Sequence, residues 1–535
     1  MADNVNIRNM RMNKIHMHKV GLRNYAKVWM ALWLAGIFSI FMGGGGTAWA
    51  NVDAPTHVQS YRTVNFQVNY RDAANPGACN PNDGDFQPWS AEAQAAMNHV
   101  VDILDDLINS VPPIAIDACF QAVDPNGGTL AFAGENGNLT QAEVAALPVA
   151  NRTYPMALAN AITGVDQNGA DVEVVATANS AVVWDFCTVG CTVAADRTDF
   201  VSTMVHEVLH GLGFSMSFDQ SQDDPSLGIY ADPPAVIDDY VIQAAGGAKL
   251  LDMPNNSAAL LNAMQQGSET IAYNGPNTLA INNGNTPFIF SPTTFQQGSS
   301  MSHWDDDSPT NLGRMMNSAT DTGPSARVVD AITLMVLKDI GWSVNDAADF
   351  GDGALAAYGS AQHINSPSFV GHMKLGQSFS TEAAPAAADA SDDGITRPAT
   401  WTAGPNGGQI TANVVSNQAG VTGCLSGWID WNRDGDFGDA DEQIAAMRAA
   451  PVGNVQVQFN IPANADNGAA YNGRIRLIPD WDGDGACNDQ VALTPSGGVL
   501  GGEVEDYQWM LSGGSVINPP VIKQMLFLPL VEKGS

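Results

Sequence analysis

Apolar and polar residues alternate from Val64 to Tyr70 (Val-Asn-Phe-Gln-Val-Asn-Tyr), which predicts a half-buried strand. After Ser90, an N-cap type, the period lengthens. Met97, Val100, Val101, Leu104, Leu107 and Ile108 then mark an amphipathic helix stopped by Pro112-Pro113. Val172–Ala176 and Ala181–Trp184 read as two further short strands. A second helical period begins behind Thr198-Asp199, with Phe200, Val201, Met204, Val205, Val208, Leu209 and Leu212, and Gly211 and Gly213 end it. A last helix is predicted from Ser325, its cap, to Ile340, closed by Gly341. Between them, about residues 215–300 are rich in Asn, Gly and Pro and predict an irregular insertion forming one wall of a cleft. The texture changes after Trp342. Residues 349–511 are rich in Gly, Ala and Asp, with short alternating runs at Val455–Ile461 and Arg474–Leu477. The expectation is an α+β domain over residues 51–345, followed by an all-β sandwich over 349–511.

The second helix carries the chemistry. His206-Glu207-Val208-Leu209-His210 places two imidazoles four residues apart, on one helical face, where both can reach one metal ion. Glu207 is rotated off that face, so its carboxylate can reach a water beside the metal. This is the H-E-x-x-H arrangement of zinc peptidases. The chain has only 9 His in 535 residues, so a chance pairing is improbable.

Catalytic zinc ordinarily takes three protein ligands. Residue 216, where the short metzincin motif would place a third histidine, is Met216. Of the histidines beyond residue 50, His57 lies near the start of that stretch, His99 on the first helix, and His363 and His372 in the C-terminal region. His303, in Ser299-Ser300-Met301-Ser302-His303-Trp304, remains the best candidate, with an acidic residue such as Asp219 as rival.

His206–Phe214, Ser302-His303-Trp304, Arg314-Met315-Met316-Asn317 and Ala331–Trp342 together resemble the leishmanolysin-type metzincins and their bacterial secreted relatives. Tyr154–Ala161 and Asn179-Ser180 are similar to segments of the bacterial relatives. The likeness covers roughly residues 60–345. It implies a metzincin-like catalytic fold, zinc on His206, His210 and His303, and Glu207 as base. It further implies Met316, in preference to Met315, as the methionine beneath the metal. Asp305-Asp306-Asp307 departs from the family's usual pattern.

Asp349-Phe350-Gly351-Asp352, Gly427–Asn432 and above all Gly502-Glu503-Val504-Glu505-Asp506-Tyr507 resemble the GEVED domain of bacterial extracellular proteins. Within it, Asp430, Asn432, Asp434 and Asp436 set oxygen ligands at alternate positions around Gly435, a calcium-loop pattern. Position twelve of that count is Asp441, with Glu442 next, so the match is incomplete. Asp480, Asp482 and Asp484 repeat the theme, and acidic turns without an ion are the competing reading.

Composition sets the surroundings. Six basic residues (Arg8, Arg11, Lys14, Lys19, Arg23, Lys27) precede the apolar run Val28–Met42, and Ala48-Trp49-Ala50 follows as a small-x-small site. Residues 1–50 thus read as a signal peptide, the run being short for a membrane span. The full chain carries 22 basic and 56 acidic residues; without that segment 16 and 55 would remain. A surface so acidic repels phosphate backbones and excludes nucleic acid as a partner. Six cysteines in an exported chain predict disulfides: Cys424 with Cys487, Cys187 with Cys191 and, by preference, Cys79 with Cys119. Residues 512–535 form a linker and an apolar tail. The expected protein is a secreted, extracellular or cell-surface bacterial zinc endopeptidase acting on protein or peptide substrates, with calcium as a candidate second ion. The alternative is a catalytically silent adhesion protein built on a peptidase scaffold and attached to a cell surface.

Overall fold

The structure is a computed structural model that describes residues 15–16 and 60–512, except 125–127, 190, 312–313, 367–368, 370–371, 383–390, 482 and 488–491. The segment expected to be a signal peptide, the apolar tail and Asp482 therefore lie outside the described residues, apart from the pair 15–16. The chain divides into two compact units, residues 1–280 with 284–345, and residues 281–283 with 346–535.

The first unit is organised by a five-stranded sheet. Its elements are β1 (Ser60–Arg62), β2 (Phe66–Tyr70), α1 (Ala91–Leu107), β3 (Ile114–Gln121), β4 (Ala131–Glu135), α2 (Met156–Thr163), β5 (Val174–Asn179) and α3 (Phe200–Gly211). The strand order is β1-β2-β3-β5-β4. Strands β2, β3 and β5 are parallel, while β1 and β4 run antiparallel at the two edges. Ser90 caps α1 by accepting from the Ala93 amide at 3.1 Å. The apolar stripe Met97, Val100, Val101 and Leu104 is fully buried, and α1 packs against α3. That helix stops at Leu107, ahead of the two prolines, because Ile108–Asn109 turns extended to pair with Ser343–Val344. Helix α3 lies so close to the sheet that a Cβ on Gly211 would sit 2.5 Å from Val174 Cγ1.

Two predicted elements differ. Ala181–Val183 is a turn, and only Trp184–Asp185 pairs, with Thr198–Asp199. Asn179 draws the chain round: its Oδ1 accepts from the Ala181 amide at 3.0 Å and its carbonyl from Trp184 Nε1 at 2.8 Å. The last helix, α4, spans Ala331–Ile340, and Asp330, not Ser325, caps it, accepting from the Thr333 amide at 3.1 Å. Residues 325–329 stay non-helical, and Arg327 pairs with the buried Asp199 at 2.6 Å. The insertion is ordered: β6 (Val241–Gln243), β7 (Ile271–Tyr273) and β8 (Phe288–Ile289) form an antiparallel sheet, with Leu250, Leu260 and Met264 fully buried.

The second unit is all-β. Strands β9 (Gly404–Ser416) and β12 (Gly453–Ile461) pair in one sheet. Strands β10 (Thr422–Ile429), β11 (Gln443–Pro451), β13 (Ala470–Pro479) and β14 (Glu503–Met510) form another, in the order β11-β10-β13-β14. Val455, Val457, Phe459 and Ile461 meet Leu425, Ile475, Leu477 and Trp509 in one core, the sandwich arrangement that their alternation predicts. The three disulfides are Cys79–Cys119, Cys187–Cys191 and Cys424–Cys487, which is consistent with folding in an oxidising compartment. Among the described residues no helix is long and apolar enough to cross a membrane.

The Gly502–Tyr507 motif is structural. Gly502 has φ 75°, and a Cβ there would lie 1.7 Å from the Leu477 carbonyl oxygen, so only glycine fits. Glu503 accepts from the Leu375 amide at 2.6 Å, and Glu505 accepts from the Gly394 amide at 2.7 Å. Asp506 grips Arg474 through two bonds of 2.8 Å, both side chains at most 1% exposed. Arg476, fully buried, donates to His363 Nε2 at 2.9 Å. Each motif acid thus fastens another segment to β14. Asp506→Ala, which strands the Arg474 charge, should cost about 3–5 kcal/mol, whereas Arg474→Met with Asp506→Leu should cost far less. Urea unfolding of both variants measures the difference.

Candidate metal centre

Asp199 opens α3, its Oδ1 accepting from the amides of Val201 at 3.0 Å and Ser202 at 3.3 Å. Burial pushes its carboxyl upward against the pull of Arg327. All residues of α3 from Thr203 to Gly211 are buried, including His206, Glu207 and His210. The chain then turns sharply: Gly213 has φ 108°, and a Cβ there would meet Pro155 at 2.9 Å. Trp342 Nε1 donates to the Leu212 carbonyl at 2.8 Å, tying α4 to the end of α3.

His303 arrives from the far side of the insertion and completes a triangle. Nε2 of His206 lies 3.1 Å from that of His210 and 3.1 Å from that of His303; the third side is 3.2 Å. In each ring the other nitrogen faces a main-chain carbonyl. Nδ1 of His206 meets Met315 O at 2.7 Å, His210 meets Phe214 O at 2.7 Å, and His303 meets Ser299 O at 2.8 Å. A carbonyl only accepts, so each Nδ1 donates, and Nε2 is the ring nitrogen that can offer a lone pair to a cation. Three lone pairs converging in a buried space repel one another unless a cation lies between them. Tetrahedral zinc, with Zn–N of about 2.0–2.1 Å, spaces its nitrogens ~3.3 Å apart. The donor set fits zinc.

Supporting contacts hold His303 in place. Its carbonyl accepts from the Phe290 amide at 2.9 Å, and Trp304 Nε1 donates to Thr333 on α4 at 2.9 Å. Trp304 also stacks edge-on against Phe214, with centroids 5.1 Å apart. Of the methionine pair, Met315 provides the polar link, its amide donating to Asp330 at 3.2 Å and its carbonyl accepting from His206. Met316 is fully buried, and its carbonyl accepts from the Trp304 amide at 2.8 Å. Asp219, the acidic rival, accepts from Gln297 through both oxygens at 2.9 Å; the carboxylate or imidazole groups gathered with His206 and His210 are those of His303.

Glu207 stands one residue outside the triangle, and its Oε2 accepts from the Ala133 amide at 3.0 Å. Ala133 lies in β4, the outermost strand of the sheet. Sequence reading missed this strand because Ala-Phe-Ala-Gly-Glu has neither β-branched residues nor a clean alternation.

In the second unit the described residues bring together Asp430, Asp434 and Glu442, whose ligand atoms all lie within 4.8 Å of one another. Asn432 instead bonds to Asp434 and Asp439, and Asp436 accepts from the Gly438 amide at 2.7 Å. The inward-turned acid is Glu442, one position beyond Asp441. In the second loop Asp480 accepts from the Gly485 amide at 2.7 Å and Asp484 from the Ala486 amide at 2.6 Å.

A GEVED domain family model matches residues 424–509. An SPBPB7E8-like family model matches residues 78–240, a span that includes α3 but ends before His303. Comparison with curated proteins and with solved structures gave no match.

His303→Ala should lower zinc content from about one ion per chain to a small fraction of that, because two imidazoles make a weak zinc site. Elemental analysis of purified wild type and variant checks it.

Proposed function

We propose that this chain is a secreted zinc-dependent endopeptidase with a zincin-like, metzincin-type catalytic domain. The observation that carries the reading is the Nε2 triangle of His206, His210 and His303 with the carboxylate of Glu207 beside it. A structural zinc site has four protein ligands and no use for an adjacent carboxylate. A zinc ion bound here would supply Lewis acidity and make water nucleophilic near neutral pH.

The chain's own groups account for the rest. Glu207 accepts a proton from the attacking water and returns it to the departing amine. The Ala133 amide fixes one carboxylate oxygen, which aims the other. β4 is an edge strand, so a substrate peptide in extended form can add to it by main-chain pairing and pass in front of Glu207. This favours peptide over small-molecule substrates and does not depend on side-chain identity. The three disulfides and the acidic composition suit export, in keeping with the signal-like residues 1–50.

Glu207→Gln should lower kcat on an unstructured protein substrate by about 10²–10⁴-fold while zinc content stays at the wild-type level. A chelator should abolish wild-type activity and added zinc should restore it. A folded, zinc-loaded wild type inert on every peptide of a diverse library would favour the adhesion reading instead.

A further inference from the structure

We propose that the loop Asp430–Glu442, between β10 and β11, is a calcium site formed by the carboxylates of Asp430, Asp434 and Glu442. The loop is held by its own aromatic residues. Trp431 packs into the sandwich core, and Phe437 lies in a second cluster with Trp428 and the Cys424–Cys487 pair. Tyr358 packs against Phe437 with the rings tilted and centroids 4.5 Å apart, and its hydroxyl donates to Asp430 Oδ2 at 2.7 Å. Gly435, at φ 96°, makes the sharp turn, and its amide donates to Asp430 Oδ2 at 3.2 Å. The cluster is thus presented by a rigid frame.

Glu442 supplies the independent sign of a ligand. It is 1% exposed, and its Oε2 accepts from the Asp439 amide at 3.2 Å. Its Oε1 is buried and accepts no hydrogen bond. A buried carboxylate oxygen without a donor costs several kcal/mol unless a proton or a cation meets it. The carboxylates of Asp430 and Asp434 face Glu442, the ligand atoms of all three lying within 4.8 Å of one another. A divalent cation answers all three groups together.

The chemistry selects among cations. Only oxygen donors converge here, which suits calcium rather than zinc. The exposed Asp434 leaves one side of the cluster to water, as in the weaker calcium sites of extracellular modules. A cation held here would join the two ends of the loop, Asp430 after β10 and Glu442 before β11, and stiffen the sandwich.

The test uses the full, zinc-loaded chain titrated with calcium chloride, read by calorimetry and by thermal unfolding. Wild type should take up calcium with Kd on the order of 10⁻⁴–10⁻³ M and unfold at a higher temperature. Asp434→Asn alters an exposed side chain, so it should fold normally and bind at least about tenfold more weakly. Glu442→Gln should lose the calcium response yet be no less stable than wild type in calcium-free buffer, since a buried charge is gone. Wild type that takes up no calcium, or two variants that bind it as tightly as wild type, would overturn the proposal. Zinc content and peptide hydrolysis are read separately, so failure at one centre does not imitate failure at the other.

Discussion

The three bonds from imidazole Nδ1 to main-chain carbonyl are the constraint on which this molecule turns. Each fixes a tautomer and a ring plane at once, and each carbonyl belongs to a different segment: the Met315 turn, the end of α3 at Phe214, and the Ser299 loop. The site is therefore held by backbone. A side chain can change rotamer cheaply, but these carbonyls move only if the turns that carry them move. Much of the first unit serves to hold those turns. Trp342 ties α4 to the end of α3, Asp330 caps α4 and holds the Met315 amide, and Trp304 links the His303 loop to Thr333.

A second principle runs through both units: acidic side chains are used as acceptors for distant amides. Asp117 takes the Ala78 amide and the Arg71 guanidinium, Glu173 takes the Ala115 amide, and Asp339 takes the amides of Asn277 and Thr278. In the second unit Glu503, Glu505 and Asp349 do the same for Leu375, Gly394 and Val504. An amide at a sheet edge, a helix start or a turn lacks a backbone partner, and a carboxylate reaches it at long sequence separation. The strongly acidic composition is thus partly structural and not only a solvated surface. Burial pushes the Glu503 and Glu505 carboxyls upward, with neighbouring acids adding to it for Glu503, while the amides that each accepts from pull the other way.

Local sequence signals determined α1, α3, β2 and the run Val455–Ile461, where a hydrophobic period and a cap or turn coincide. His206, Glu207 and His210 were legible because helical geometry alone brings them together. Disulfide partners could be named for Cys187–Cys191 and Cys424–Cys487 from proximity and domain membership, and the pairing Cys79–Cys119 rested on what was left. The Gly502–Tyr507 motif was readable as a motif, although its reason was not: the clash at Gly502 and the grip of Asp506 on Arg474 depend on β13 lying alongside.

Tertiary structure alone decided the remainder. His303 stood out in the sequence only by elimination and resemblance, and it lies 93 positions beyond His210, across the insertion; packing of Trp304 on Phe214 and Thr333 sets its place. Strand β4, whose Ala133 amide holds Glu207, has no local signature, since an edge strand without β-branched residues takes its conformation from pairing with β5. Ser325 looked like a cap and was not, because the pull of Asp199 on Arg327 outweighs local propensity there. Glu442 turned inward although the loop count pointed to Asp441, a one-residue difference that only the pairing of β10 with β11 could fix. Short-range order follows from periodicity and capping, whereas a site assembled from separated segments follows from packing that no window of sequence contains.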